Sequence, residues 1–321
     1  MSGLRTITVV SVACLMALSA SAAELWLEWD VAASWDGEEG VINTGYIPSR
    51  QPDQQGESML LRDGSAYVPG DGSIMGTGGL GAGPLSRPYL DLPLGTYSYL
   101  QGASNAFQSS LFEHADRTGY SIVGYFYFSS AMTIQHNAGI GTAHGVSGQS
   151  EFLYSNEGGA NFQSWTQMIL KEKPDGWSDD DCRFRQTDDI DMPRDQWIQF
   201  TKVFNAVTGE ILYYINDNPV PLLSSLFDAN GDGISDVADY KFESRGDQFG
   251  WFGTGNPRRL EGMSVSYFAV YDGVLSTEEI AASYAMLTVS VPEPATMTLL
   301  AFGGLAILRR RRSRRGHGKG R

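Results

Sequence analysis

From Glu24 to Ser290 the chain is a run of short apolar and aromatic segments separated by Gly, Asn, Asp and Pro. No apolar run of about 20 residues occurs there, and few stretches carry a helical period. That pattern restricts the body to a sheet protein. Segments with strand character are Leu25–Trp29, Tyr120–Phe128, Phe152–Tyr154, Trp165–Leu170, Trp197–Phe204, Ile211–Ile215, Phe249–Phe252 and Met263–Tyr271. One helix is expected, Ser276–Met286, with Ser276 as N-cap and Glu279 completing a capping box. Many strands, polar turns and one late helix predict an all-β sandwich of two sheets packed face to face. Trp197, Phe200, Tyr214 and Phe268 are expected in its core.

The order of the later segments adds to this. Thr118-Gly119-Tyr120 opens a strand ending in Tyr125-Phe126, and Asp195-Gln196-Trp197 opens a second. Ile211 to Ile215 runs into an Asn216-Asp217 turn, and Met263 to Tyr271 precedes Leu275-Ser276-Thr277-Glu278-Glu279-Ile280. This succession, over about Thr118 to Met286, resembles the LamG-like, concanavalin A-like jelly-roll family. The resemblance implies a two-sheet antiparallel jelly roll over residues 24–288. It departs from the family at Asp217, where Gly is common, and in the long stretch before Gly119. The family holds sugar-binding, protein-binding and structural members, so the fold alone assigns no function.

The two ends read as addresses. Arg5, the apolar run Ile7–Leu18 and Ser19-Ala20-Ser21-Ala22-Ala23 have the layout of a secretory signal peptide, residues 1–23, cleaved after Ala22 or Ala23. An uncleaved anchor is the alternative. At the other end, Pro292-Glu293-Pro294 precedes an apolar stretch, Ala295 to Leu308, and then Arg309-Arg310-Arg311-Arg312. Fourteen residues of helix cover only about 21 Å, yet the arginines mark a cytoplasmic flank. Residues 289–321 resemble the PEP-CTERM sorting signal. The resemblance implies an exosortase-type membrane protease as partner, with Pro292, Glu293 and Pro294 as the sequence it reads. The precursor would be anchored in the inner membrane through the C-terminal helix alone, and the product delivered to the cell surface or extracellular matrix.

Charge supports an exterior location without a nucleic-acid partner. Nine of the 23 basic residues lie in the two terminal segments, whereas 36 of the 37 acidic residues lie between them. The body therefore carries 14 basic residues and a net charge of about −22, which repels phosphate backbones. Of the two cysteines, Cys14 lies in the first apolar run, so Cys182 has no partner for an intramolecular disulfide.

One internal segment carries metal chemistry. Asp228-Ala229-Asn230-Gly231-Asp232-Gly233-Ile234-Ser235-Asp236-Val237-Ala238-Asp239 places oxygen side chains at positions 1, 3, 5, 9 and 12 and Gly at position 6. Ca²⁺ takes six to eight oxygens, and this spacing wraps a loop around one ion. Asp228, Asn230, Asp232, Asp236 and Asp239, with the Ile234 carbonyl, are the candidate ligands, in an insertion at about 226–245. The loop resembles dockerin and thrombospondin type 3 repeats, but Ser235 and Asp239 depart from the EF-hand pattern and there is one copy. A solvated acidic turn is the alternative. Asp179-Asp180-Asp181 and Asp188, Asp189 and Asp191 are weaker acidic sets.

Other motifs carry no chemistry. Gly76-Thr77-Gly78-Gly79-Leu80-Gly81 lacks the flanking strand and helix of a dinucleotide site. His114, His136 and His144 lack helical metal-pair spacing. No Glu-x-Asp-x-x-Glu strand of the related glucanases occurs; Glu24 and Glu28 have no Asp between them. Trp165, Trp177 and Trp251, near loops, are candidates for stacking on a sugar. The expected function is non-catalytic binding of extracellular polysaccharide or matrix protein, with structural calcium. The alternatives are a purely structural matrix or coat protein and a glycan hydrolase.

Overall fold

The computed structural model describes residues 23–38, 40–42, 44, 58–62, 66–68, 87–92, 99–101, 118–134, 139–143, 153–155, 162–179, 181–242, 249–252 and 260–288. Residues 1–22 of the signal peptide, the Pro292-Glu293-Pro294 tripeptide, the apolar stretch 295–308, the glycine run at 76–81, the three body histidines and Asp180 lie outside these residues.

Two antiparallel sheets and two short helices make up most of the described structure. The first sheet contains β1 (Glu24–Asp30), β4 (Ala66–Val68), β5 (Tyr89–Leu92), β7 (Tyr120–Ile134), β12 (Trp197–Phe204), β13 (Ile211–Ile215), β14 (Asn218–Pro219) and β17 (Leu260–Asp272). Its order is β14-β13-β12-β7-β17-β5-β4. The long β17 pairs with β7 along one side, while β5 and β1 share the other, opposite its first and second halves. The second sheet has the order β11-β10-β9-β8-β16-β6-β3-β2, with β15 also pairing to β10. Its strands are β2 (Gly40–Ile42), β3 (Ser58–Arg62), β6 (Tyr99–Gln101), β8 (Gly139–Ala143), β9 (Leu153–Ser155), β10 (Phe162–Leu170), β11 (Arg183–Ile190), β15 (Tyr240–Lys241) and β16 (Phe249–Phe252). A four-residue helix, α1 (Val31–Ser34), follows β1, and α2 (Thr277–Thr288) follows β17.

The alternation of side chains along β7 shows how sequence sets the layers. Tyr120, Ile122, Phe126 and Phe128 point into the core between the sheets, while Val123, Tyr125 and Tyr127 point the other way. The inner set joins Trp26, Trp29, Phe162, Phe200, Phe204, Tyr213 and Phe268, all essentially inaccessible. Phe128 from one sheet meets Phe162 from the other at 4.8 Å between ring centroids. Each such ring contributes about 1.5–3 kcal/mol relative to exposure.

The outer set forms a second apolar layer beneath α2. Tyr125, Tyr127, Trp197, Tyr214 and Tyr267 pack with Ile280 and Leu287 of the helix. Trp197 and Tyr214 are therefore buried in this outer layer, whereas Phe200 and Phe268 occupy the layer between the sheets. The helix start has the expected capping box: Ser276 N–H donates to Glu279 Oε2 at 2.8 Å, and Glu279 N–H to Ser276 Oγ at 3.2 Å. Among the described residues no helix is long and apolar enough to cross a membrane.

Candidate functional site

The outer face of the second sheet, across β15, β10 and β11, presents exposed Arg185, Thr187, Asp189 and Lys241 around a buried Gln167. On β11 the inner positions are Phe184, Gln186, Asp188 and Ile190, and the outer positions are Arg183, Arg185, Thr187 and Asp189. On β10 Phe162, Ser164, Thr166 and Met168 face inward, leaving Gln163, Trp165, Gln167 and Ile169 outward. The pairing register sets these outer residues in rows. Ile169 lies between Arg183 and Lys241, Gln167 opposite Arg185, Trp165 opposite Thr187, and Gln163 opposite Asp189.

Arg185 leans diagonally across that grid. Its guanidinium carbon sits 3.7 Å from the centroid of the Trp165 ring, a cation–π stack. Among the described residues Arg185 makes this contact and no hydrogen bond or ion pair, and it is exposed. At the far end Gln163 Nε2 donates to Asp189 Oδ1 at 2.7 Å. Trp165 is thus on an outer sheet face as a stacking residue requires, but its ring already carries a guanidinium. Trp177 is 42% exposed on the loop joining β10 to β11, and the side chain of Trp251, on β16, lies outside the described set.

The acidic segment runs directly into this face, because Asp239 is followed by β15. Its ends are anchored in the core by Phe227, Val237, Tyr240 and Phe242. Lys171 N–H donates to the Asp239 carbonyl at 2.9 Å, and Lys171 Nζ to the Ala238 carbonyl at 2.8 Å. Between the anchors the loop folds on its own amides. Asp228 Oδ1 accepts from Gly231 N–H at 2.7 Å and Asp232 N–H at 3.2 Å, and Asp228 Oδ2 accepts from Gly233 N–H at 2.7 Å. Asn230 Oδ1 accepts from Asp232 N–H, Asp232 Oδ1 from Ile234 N–H, and Asp236 Oδ2 from Ala229 N–H. Gly231 and Gly233 have φ of 75° and 82°, a left-handed backbone that side chains disfavour. These amides, Gly233's foremost, hold the Asp228 carboxyl below the usual carboxylate range and keep it charged.

The loop thus gathers Asp228, Asn230, Asp232 and Asp236 into one turn. Asp239 sits at its exit in the turn Val237–Asp239, and the Ile234 side chain is 65% exposed. Among the described residues no three His, Cys, Asp or Glu groups are placed to hold a metal ion. The weaker acidic set is divided by the strand alternation. Asp188 points inward to accept from Tyr213 Oη–H at 2.9 Å, whereas Asp189 points outward.

Sequence reasoning passed over Arg185, Arg183 and Lys241. The signal was present as Arg183-Phe184-Arg185, two cations on one side of an apolar residue at strand period. It was obscured because the inner half of that strand carries Gln186 and Asp188 instead of apolar residues.

The class defined so far is a two-sheet β protein with one partly basic outer face and an acidic loop at its border. Residues 290–312 match the PEP-CTERM protein-sorting motif. That motif is a sorting signal recognised by an exosortase, and it marks the chain as exported from a membrane-anchored precursor. No curated protein matches the sequence. Among solved structures, the chain is similar to the receptor binding domain of botulinum neurotoxin C/D mosaic serotype. That likeness has 13% identity and a TM-score of 0.49, over 82% of this chain and 51% of the other. It is similar also to the binding domain of botulinum neurotoxin DC, solved in complex with rat synaptotagmin II. There the identity is 10% and the TM-score 0.42, over 81% and 51% of the two chains. The chain spans about half the length of these structures.

Proposed function

We propose that this is an exported, non-catalytic binding protein of the cell surface or extracellular matrix. Its body, residues 24–288, is a concanavalin A-like jelly roll that binds extracellular polysaccharide or matrix protein. The sorting motif at 290–312, directly after a body that ends in α2 at Thr288, is the observation that supports this most. After export the Pro292-Glu293-Pro294 sequence is read by the exosortase-type protease, and the apolar segment and arginine tail are left behind.

Calcium has a structural part in this reading. The insertion at 226–245 is pinned at its ends by apolar anchors, and its loop amides keep the Asp228 carboxylate charged, so an ion there would offset repulsion between it and the neighbouring acidic side chains. The supporting observations are the Asp-x-Asn-x-Asp-Gly spacing and the positive φ at Gly233.

Two measurements test the reading. In a host that carries the processing protease, the wild-type chain loses its tail and leaves the membrane fraction, while Glu293→Ala accumulates there intact. Identical fates for the two chains would overturn the export half. For calcium, the wild type melts at higher temperature in calcium than in chelator, and Asp232→Ala abolishes that difference. Equal melting of the wild type in both would remove the ion.

A further inference from the structure

We infer that the outer face of β15-β10-β11 is a docking surface for an acidic polysaccharide, with Arg185 gripping its carboxylates beside the Trp165 ring. This rests on the binding-domain reading above and names its site and its ligand class.

Charge complementarity commits the face to an anion. The body carries 14 basic residues against 36 acidic ones, yet Arg183, Arg185 and Lys241 stand on the same side of three neighbouring strands. Arg185 and Lys241 are exposed, and neither has an ionic partner among the described residues. Of the acids in this region, Asp189 accepts from Gln163 on the same face, and Asp179 on the β10–β11 loop pairs with Lys173 at 2.9 Å. A guanidinium with no ionic partner among the described residues of so acidic a chain suits an external carboxylate.

The stack on Trp165 prepares it for that. A guanidinium lying over an indole is covered on one face, but its N–H donors lie in its own plane and stay available for a two-pronged bond to a carboxylate. Stacking also removes rotamer freedom before the ligand arrives, which lowers the cost of binding. Around it Thr187 and Gln163 offer neutral hydrogen-bonding groups suited to sugar hydroxyls. The rows extend from Gln163 to Ile169, seven residues spanning about 20 Å, the length of several sugar units. The neutral polar groups of Thr187 and Gln163 beside Arg185 favour a repeating uronate chain over an acidic polypeptide.

The full chain in mild detergent should be titrated with polygalacturonate, with its fully methyl-esterified form, with a neutral glucan and with poly-glutamate. Binding to polygalacturonate is expected, weakening as salt rises. Arg185→Gln is expected to reduce that affinity about tenfold or more. Lys241→Gln should have a smaller effect in the same direction. Lys173→Gln, an equal charge change at an exposed residue paired with Asp179, should leave it within about twofold. Arg185 and Lys241 are exposed, so a variant that fails to fold is not the expected outcome, and circular dichroism checks this. If the glucan or the esterified polymer binds as well as polygalacturonate and Arg185→Gln changes nothing, this inference falls while the binding-domain reading stands. Equal, Arg185-dependent binding of poly-glutamate overturns the choice of a glycan. Retention of none of the polymers sinks the inference and the polysaccharide half of the reading together.

Discussion

Replacing Lys202 by Met tests how the two sheets are joined. Lys202 lies on β12 of the first sheet, is fully buried, and donates from Nζ to the Trp165 carbonyl on β10 of the second. Its ammonium lies 5.9 Å from the Tyr120 ring. Asp188, on β11, faces the same interior; burial pushes its carboxyl up, while bonds from Tyr213 and Gln186 and the Lys202 charge pull it down. Met fills a similar volume without the charge. The substitution removes one charged hydrogen bond, worth about 1.5–3 kcal/mol, and leaves Asp188 less compensated. The added apolar burial returns part of that, so a net loss of about 2 kcal/mol is expected.

The sign with pH follows from Asp188. A carboxyl raised in the native state binds protons more readily there than in the unfolded chain. Lowering the pH towards its native pKa therefore stabilises the Met variant, and its deficit should shrink between neutral and mildly acid solution. In the Lys202→Met background, Asp188→Asn should cost less than it does in the wild type, with a coupling of about 1 kcal/mol. Urea denaturation of the four proteins at unchanged m-value measures all of this. A Lys202→Met loss below about 0.5 kcal/mol, or strict additivity with Asp188→Asn, would refute the reasoning.

Three further substitutions and titrations are specific. At Gly119 φ is 104°, and an added Cβ would lie 1.9 Å from the Phe204 carbonyl oxygen, so Gly119→Ala should cost more than about 2 kcal/mol by urea midpoint; a cost near zero contradicts the close approach. Ser276→Ala removes the α2 cap and should cost about 1 kcal/mol in the same assay, with no change sinking the capping box as a stabilising element. The Asp228 carboxyl is held low by loop amides. The Gly233 amide resonance should therefore titrate with a midpoint below the free aspartate value of about 3.9, and the loop should keep its bonds until the pH falls through that midpoint. A midpoint at or above the free value would mean the amides do not hold the carboxylate.

The strands that could be read from sequence are those rich in apolar and aromatic residues. Trp197–Phe204, Ile211–Ile215 and Phe249–Phe252 have the bounds that their composition announces. β7 was legible to Phe128, but its continuation to Ile134 passes through Ser129, Ser130 and Thr133, which carry no apolar period. β11 was illegible because its core-facing side includes Gln186 and Asp188, satisfied by Tyr213 and by each other instead of by packing. The same substitution of polar satisfaction for apolar pattern hid Arg185, since a strand not foreseen has no outer face to inspect. The acidic loop was legible as a turn, from the glycines and the Asx spacing. Its apolar anchors Phe227 and Tyr240 were not, because single aromatics beside a charged run have no period to mark them.

The central claim, an exported domain that binds without catalysis, is tested most directly by one tube. The full chain is mixed with purified neutral and acidic polysaccharides, and both retained protein and newly formed reducing ends are measured over time. The account predicts retention on at least one polymer with no rise in reducing ends. Reducing ends that accumulate with the protein present would contradict the non-catalytic claim, and protein recovered wholly unbound from every polymer would contradict polysaccharide binding.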